Sequence, residues 1–414
     1  MAFKNSYSLP LEKENKFDYI LLLIVLLLIC MGLISIYSAT YESSLTGNFN
    51  KQLIAIGIGL ILMFITAYLP ENLLKINSYI FYGISIILLL LVLWIGTEVY
   101  GTKGWIRLGA FNLQPAEIGK IGALFALASY LSKKGTDIRT FRDQGITLLI
   151  IAVPIYLISK QPDIGTASVL IIIYFGVLFW TGYDMFILYT LVSLPIIIIS
   201  SLKGGIFFIS TVSILSAISI FFRKKVLSTI IAISLLLGTG IGAPIIYDNL
   251  MPHQKKRIDS FLEPGSDPLG ADYNVMQSKL AVGSGGITGK GFLKGSQTQL
   301  RYIPMQWTDF IFSVGAEEFG FIWSLLIILL YILLIYKALT IAYEVNSKYF
   351  SILSAGIAVI FTYHVLINIG MVIGLMPVMG LPLPFMSYGG TSMIFNLILI
   401  GILLNAYRNR RKAN

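Results

Sequence analysis

The sequence predicts an all-α integral membrane protein, a polytopic helical bundle of about 12 transmembrane helices with both termini in the cytoplasm. Three observations lead there. Of 414 residues, 56% are apolar and only 12% are charged, whereas a soluble domain carries roughly twice that charge fraction. The apolar residues are bunched into runs that match the about 20 residues needed to cross a ~30 Å hydrocarbon core. Those runs are continuous and do not alternate with period two, so a transmembrane β-barrel is excluded.

Taken in order, the runs predict spans near 18–38, 52–69, 77–95, 116–132, 145–160, 165–181, 185–201, 205–222, 226–246, 310–338, 351–375 and 390–407. The polar residues up to Lys16 lead into a stretch long enough to stay as a span, so no cleavable signal is expected. Run 310–338 exceeds one span and is expected to tilt or protrude. Residues 1–414 form a single polytopic domain whose longest polar interval is 247–309.

Orientation follows from the basic residues. Seventeen Lys and Arg, among them Lys4, Lys13, Lys133, Arg139, Arg223, Lys225 and Arg408, fall in connections on one side. The short connections opposite, with Lys51, Lys103, Arg107 and Lys203, hold far fewer. The bias places the N- and C-termini inside and the 247–309 loop outside, where long loops translocate largely regardless of charge. The net charge of +10 has the same origin and calls for no nucleic acid. The single cysteine, Cys30, lies in an apolar run, so no disulfide framework or cysteine metal site is expected. Two histidines, His253 and His364, are too few for a histidine-based metal cluster.

Ionisable groups at membrane depth are costly and therefore point to function. Four clusters stand out, all at the outer ends of spans or in outer loops. In GTKGWIRLGAFNLQPAEIGKIG (101–122), Glu117 and Lys120 are three apart at a helix start, share a face and can pair; a structural ion pair that makes the helix end tolerable accounts for them equally well. Trp105 in the same run suits an interface anchor as well as a binding site. In KQPDIGTA (160–167), Gln161 to Asp163 read as a tight turn, with Asp163 capping the next helix; capping alone also accounts for it.

The third cluster is the loop from His253 to Thr308, with KKRI at 255–258 and QSKLAVGSGGITGKG at 277–291. Its glycines permit close backbone approach, and their amides beside Lys290 are suited to phosphate oxygens, although no Walker spacing is present. The fourth, QWTDFIFSVGAEEFGF (306–321), puts Asp309 at the re-entry into the membrane with Glu317 and Glu318 about two turns deeper. Finally, Pro377, Pro382 and Pro384 interrupt the stretch between the last two spans, which suits non-helical backbone lining a cavity. The polar groups are expected to converge on one outward-facing cavity.

These motifs resemble the SEDS family (shape, elongation, division and sporulation), and within it the rod shape-determining RodA branch. The resemblance rests on DPLGADYNVMQSKLAVGSGGITGKG, YIPMQWTDFIFSVGAEEFGF and PLPFMSYGGTS, with QPAE at Gln114–Glu117 and QPD at Gln161–Asp163. It covers spans one to six and everything from about Arg257 onward. Family members usually have ten spans, so 185–246 holds an extra pair that preserves parity. Trp307 stands where the elongation branch usually has His, which argues against a catalytic role for that neighbour.

The resemblance implies a peptidoglycan glycosyltransferase in the bacterial cytoplasmic membrane, polymerising lipid II at its outer face during cell elongation. Asp309 corresponds to the family's TDF aspartate and is expected to be the general base of an inverting displacement. Substrate-binding residues are expected at Trp105, Gln114, Glu117, Lys120, Gln161, Asp163, Arg257, Gln277, Ser278, Lys290, Glu317 and Ser387. Lys120, Arg257 and Lys290 are the candidates for the departing pyrophosphate. A divalent cation, Mg or Mn, would suit the pyrophosphate, though no dedicated ligand set is apparent. Implied partners are lipid II, membrane lipids, a class B penicillin-binding transpeptidase and the elongation complex. Two other activities suit the same polar residues: a lipid II flippase, and a non-catalytic scaffold for the transpeptidase.

Overall fold

The computed structural model describes residues 17–41, 46–99, 102–109, 111–222, 225–250, 252–263 and 272–410. Lys4, Lys13, Arg223, the DPLG part of the outer loop and the side chain of Arg257 lie outside the described residues.

Helices stand at all twelve apolar stretches. They are α1 (Tyr19–Thr40), α2 (Thr46–Tyr68), α3 (Glu71–Ile95), α4 (Pro115–Leu131), α5 (Phe141–Ser159), α6 (Ile164–Trp180), α7 (Met185–Lys203), α8 (Gly205–Phe221) and α9 (Val226–Asp248). Then follow three helices of the long loop, α10 (Pro252–Leu262), α11 (Tyr273–Ser284) and α12 (Ser296–Gln299). The chain closes with α13 (Ile311–Glu344), α14 (Lys348–Val372) and α15 (Gly390–Arg408). Among the described residues, nine helices are long and apolar enough to cross a membrane, and α6 and α8 are shorter apolar helices.

Local sequence explains the boundaries. Asp18 caps α1 by accepting from Leu21 N at 3.0 Å, and Lys337 pairs with its other oxygen at 2.9 Å. Pro115 occupies the first turn of α4, where a missing N–H does no harm. Asp163 caps α6 through Thr166 N at 2.9 Å.

The core is built on α4, α14 and α15, with α1 and α13 alongside. All of α4 except Tyr130 is buried, including Glu117 and Lys120. Helix α15 runs against α2, where Gly59 and Gly401 allow close approach and Asn405 Nδ2 donates to Thr66 O at 2.8 Å. Helices α7, α8 and α9 pack chiefly on one another around Ile197, Val212, Leu215 and Leu236, a cluster separate from the main core. The extra helices of 185–246 therefore form a satellite and leave the central architecture intact.

Two features go beyond what the apolar runs predict. The outer segment 97–113 is not plain loop: β1 (Thr97–Val99), β2 (Thr102–Leu108) and β3 (Phe111–Leu113) form an antiparallel meander in the order β1-β2-β3. Nor does run 310–338 simply tilt as one rod. It is broken at Gly320, whose φ of 75° and ψ of −162° are open to glycine alone. The residues of 311–319 thus form a half-helix.

The glycine-rich loop fills that break. Lys290 N donates to Glu317 O at 3.0 Å and Gly291 N to Glu318 O at 2.9 Å. In return, Phe321 N donates to Gly286 O at 2.9 Å and Ile322 N to Ile287 O at 3.3 Å. The broken helix thus finds partners for the backbone groups it frees, as burial requires. A Cβ on Gly285 or Gly289 would run into the backbone of residues 316–319. These glycines serve backbone-to-backbone packing.

Candidate active site

The site is organised by residues 377–389, which cross the bundle between α14 and α15 without helical structure. Pro377, Pro382 and Pro384 contribute no backbone N–H, so the segment cannot satisfy itself as a helix. Its carbonyls are held by side chains from several elements. Tyr331 OH donates to Pro384 O at 2.5 Å, Gln52 Nε2 to Ser387 O at 3.3 Å, and Gly389 N donates to Gln52 Oε1 at 3.0 Å. Gly32 lets α1 press directly on the backbone of Phe385 and Met386. Phe385 itself is buried with a φ of 65°, a strained conformation that persists only where its surroundings impose it.

Asp309 lies beside this segment. It is half-buried, immediately before the half-helix, and a Cβ added at exposed Gly380 would stand 3.7 Å from its Oδ2. The backbone around it is fastened on both sides. Tyr388 N donates to Trp307 O at 2.9 Å, Ser387 Oγ to Thr308 O at 2.6 Å, and Asn368 Nδ2 to Asp309 O at 2.9 Å. Ser387 also accepts from Leu383 N at 2.8 Å, so its hydroxyl is a backbone clamp.

Lys120 reaches the same segment from behind. Its Nζ lies 2.8 Å from Glu117 Oε1 and 3.2 Å from His364 Nε2, while His364 Nδ1 lies 3.0 Å from Pro382 O. The pair is buried, with 3% and 4% of Lys120 and Glu117 exposed, which shows the contact expected from their spacing and also how far Lys120 stands from the surface. A buried pair of this kind is stable only while both charges are present.

Gln114, Gln161 and Asp163 form a third group where β3, α4 and α6 begin or end. Gln114 Nε2 donates to Asp163 Oδ2 at 3.4 Å, and Gln114 N donates to Thr391 Oγ1 at 3.4 Å. The start of α6 abuts Met379 through Gly165, which ties Asp163 to the central segment. Gln161 is fully buried next to Gly104 on β2, with both amide atoms lacking a protein partner. Trp105, also on β2, is half-buried and accepts from Thr97 Oγ1 through its backbone at 3.2 Å.

The remaining expected residues are placed differently. Glu317 is wholly buried and faces the loop: Lys290 Nζ approaches at 2.7 Å, Gln297 N and Thr298 N each donate at 2.9 Å, and Thr298 Oγ1 donates at 2.8 Å. Glu318 accepts from Ser38 Oγ at 2.5 Å and Gln299 Nε2 at 3.1 Å. Lys290 and Glu317 are therefore a latch that holds the loop on the half-helix, and the loop amides at Lys290 and Gly291 are already taken. Ser278 is buried and donates to Val372 O at 2.7 Å, tying α11 to α14, while Gln277 beside it is half-buried. Arg257 lies on α10, but its side chain is outside the described residues.

Residues 18–212 and 204–412 match the FTSW_RODA_SPOVE family, described as cell cycle proteins. The chain belongs to this family, the SEDS proteins. Among SEDS relatives, the peptidoglycan glycosyltransferase MrdB of Escherichia coli K12 is 32% identical, over 95% of this chain and 94% of that one. Stage V sporulation protein E of Bacillus subtilis 168 is 34% identical, over 96% and 99%. A solved structure concerned with the structural coordination of polymerization and crosslinking by a peptidoglycan synthase complex superposes with a TM-score of 0.72. It is 29% identical, over 95% of this chain and 98% of that one. The crystal structure of the Thermus thermophilus rod shape determining protein RodA gives a TM-score of 0.64 at 26% identity, over 96% and 98%.

Within this SEDS chain, three site residues escape a reading from sequence: Gln52, His364 and Asn368. The signal was present, since His364 and Asn368 are polar, mid-span and one helical turn apart. Judging His364 only as a metal ligand hides its role as a link between Lys120 and the central segment.

Proposed function

We propose that this protein is a peptidoglycan glycosyltransferase that polymerises lipid II at the outer face of the cytoplasmic membrane during elongation. One observation carries the mechanism: Asp309 stands half-buried beside exposed Gly380, with the backbone on either side locked. Asp309 acts as general base, taking the proton from the acceptor sugar hydroxyl as its oxygen attacks the anomeric carbon. The bond from that carbon to the diphosphate breaks with inversion, and undecaprenyl diphosphate leaves. The leaving group needs charge stabilisation more than a strong acid, so one carboxylate suffices.

The relatives' names support this assignment, as does the fit to a peptidoglycan synthase complex, which suits a class B transpeptidase as partner. Twelve spans with both termini inside put Asp309, Gln114, Asp163 and the β-meander on the outer side. Gln114 and Asp163 line the sugar path, with Gln161 buried behind them beside Gly104 and Trp105 at the rim. Glu117 and Lys120 hold the inner wall and set the local field, Gln277 faces the diphosphate from the outer loop, and Arg257 is its proposed cationic partner on sequence grounds. Among the described residues, no group of three or more His, Cys, Asp or Glu is assembled as a metal cage. A divalent cation bound with the substrate would supply charge stabilisation at the diphosphate.

A flippase would use the break at Gly320 to bind its cargo, but the glycine-rich loop already occupies the freed backbone groups. The experiment is polymerisation of lipid II by the protein purified with its transpeptidase. Asp309→Asn keeps size and removes basicity, so activity should fall by roughly 100- to 10,000-fold with insertion and complex formation unchanged. Near-normal glycan synthesis by that variant would refute the mechanism.

A further inference from the structure

Resting on that reading, we infer that Asn368, supported one turn away by His364, is a positioning residue for Asp309. Both side chains lie in α14 and are buried. The Asn368 amide has two N–H bonds and uses both: one donates to Asp309 O at 2.9 Å, the other to Leu381 O at 2.8 Å. A single side chain thus fastens the backbone of Asp309 to the segment that passes its carboxylate at Gly380. The next carbonyl, Pro382 O, is held by His364. That contact requires the proton on Nδ1, which leaves the Nε2 lone pair to accept from Lys120.

The two residues therefore pin successive carbonyls of a segment that its prolines prevent from pairing internally. The amide oxygen of Asn368 adds weight. It is buried without a protein partner, an expense that packing alone would avoid by placing an apolar residue there. What is retained is the pair of donors. Holding the Asp309 carbonyl fixes the direction in which its side chain leaves the backbone, and so where its carboxylate meets the acceptor hydroxyl.

The test compares Asn368→Leu, which keeps bulk and loses both donors, with Asn368→Thr, which offers a single hydroxyl donor on a shorter side chain. Each is purified with the transpeptidase and given lipid II, and kcat, KM and Tm are measured. A misplacement of about 1 Å at a reacting group lowers rates on the order of 100-fold. The Leu variant should therefore lose roughly 100-fold in kcat and the Thr variant roughly tenfold, with KM near wild type and a lowered Tm in the Leu variant, which leaves two buried carbonyls without their donor. Full kcat in both variants would overturn the inference. So would a loss expressed as raised KM or lowered Tm at unchanged kcat, which would make Asn368 a packing element; if the Leu variant fails to insert, the Thr variant decides. The Asp309→Asn control separates the two claims. If Asp309→Asn is active, the glycosyltransferase mechanism fails; if it is inactive while Asn368→Leu keeps full kcat, only the positioning role fails.

Discussion

Replacing Glu317 by Gln tests whether the carboxylate binds substrate or latches the loop. The geometry favours the latch, because both oxygens are engaged by Lys290, Gln297 N, Thr298 N and the Thr298 hydroxyl. Glutamine fills the same volume but turns an N–H₂ toward groups that are themselves donors. Breaking a buried ion pair from one side costs about 3–5 kcal/mol. Lys290 keeps 27% of its side chain exposed and so stays partly solvated, which places the expected cost near the lower end, about 3 kcal/mol. The loop can open locally without unfolding the bundle. At about 1.4 kcal/mol per tenfold, amide exchange at Gln297 and Thr298 should therefore accelerate on the order of 100-fold. Hydrogen exchange of the protein in detergent or nanodiscs reads this directly, with the α4 and α14 amides as unaffected internal references. Wild-type exchange at those two amides, accompanied by a large rise in KM for lipid II, would refute the latch and return Glu317 to the substrate.

Three further outcomes are expected. Gly289→Ala forces a side chain onto the backbone of residues 318–319 at a φ of 81°, so the loop should detach from the half-helix with a loss of about 2–4 kcal/mol, read as protease sensitivity near 285–295. Glu117→Gln and Lys120→Met should each strand a buried charge and lower Tm, whereas the double change should recover much of the loss; silent single variants would make the pair incidental. In a chain whose Cys30 is replaced, Ser284→Cys should react with an impermeant thiol reagent in intact cells and Lys225→Cys should not; the reverse pattern would invert the topology.

Much of this architecture is legible in the sequence because membrane spans are written in continuous apolar runs, and a helix stands at each of the twelve. The Glu117–Lys120 contact is legible for a similar reason, since three-residue spacing on a helix is a local matter. What was not legible depends on tertiary partners. Strands of three residues such as β1 and β3 give no periodic signal, and each is held by pairing with β2. The break at Gly320 follows from a loop some thirty residues earlier that supplies its missing hydrogen bonds. Glu317 reads as functional by the rule that membrane-depth carboxylates are costly; the same cost is offset here by a loop that closes over it. His364 reads in the sequence as an isolated would-be ligand, whereas its two nitrogens bridge a lysine and a carbonyl.

The segment 377–389 also bears on how the molecule comes to exist. A ribosome makes it after every helix except α15, yet its contacts reach back to Gly32, Gln52, Trp307, Tyr331, His364 and Asn368. Until it threads between them, Trp307 and Thr308 lack the partners that Tyr388 and Ser387 give their carbonyls, and Asp309 is held through Asn368 of α14. The surroundings of Asp309 are thus complete only once the last part of the chain is in place. A chain that stops short of this segment would display the TDF motif without the contacts that fix the Trp307 and Thr308 carbonyls.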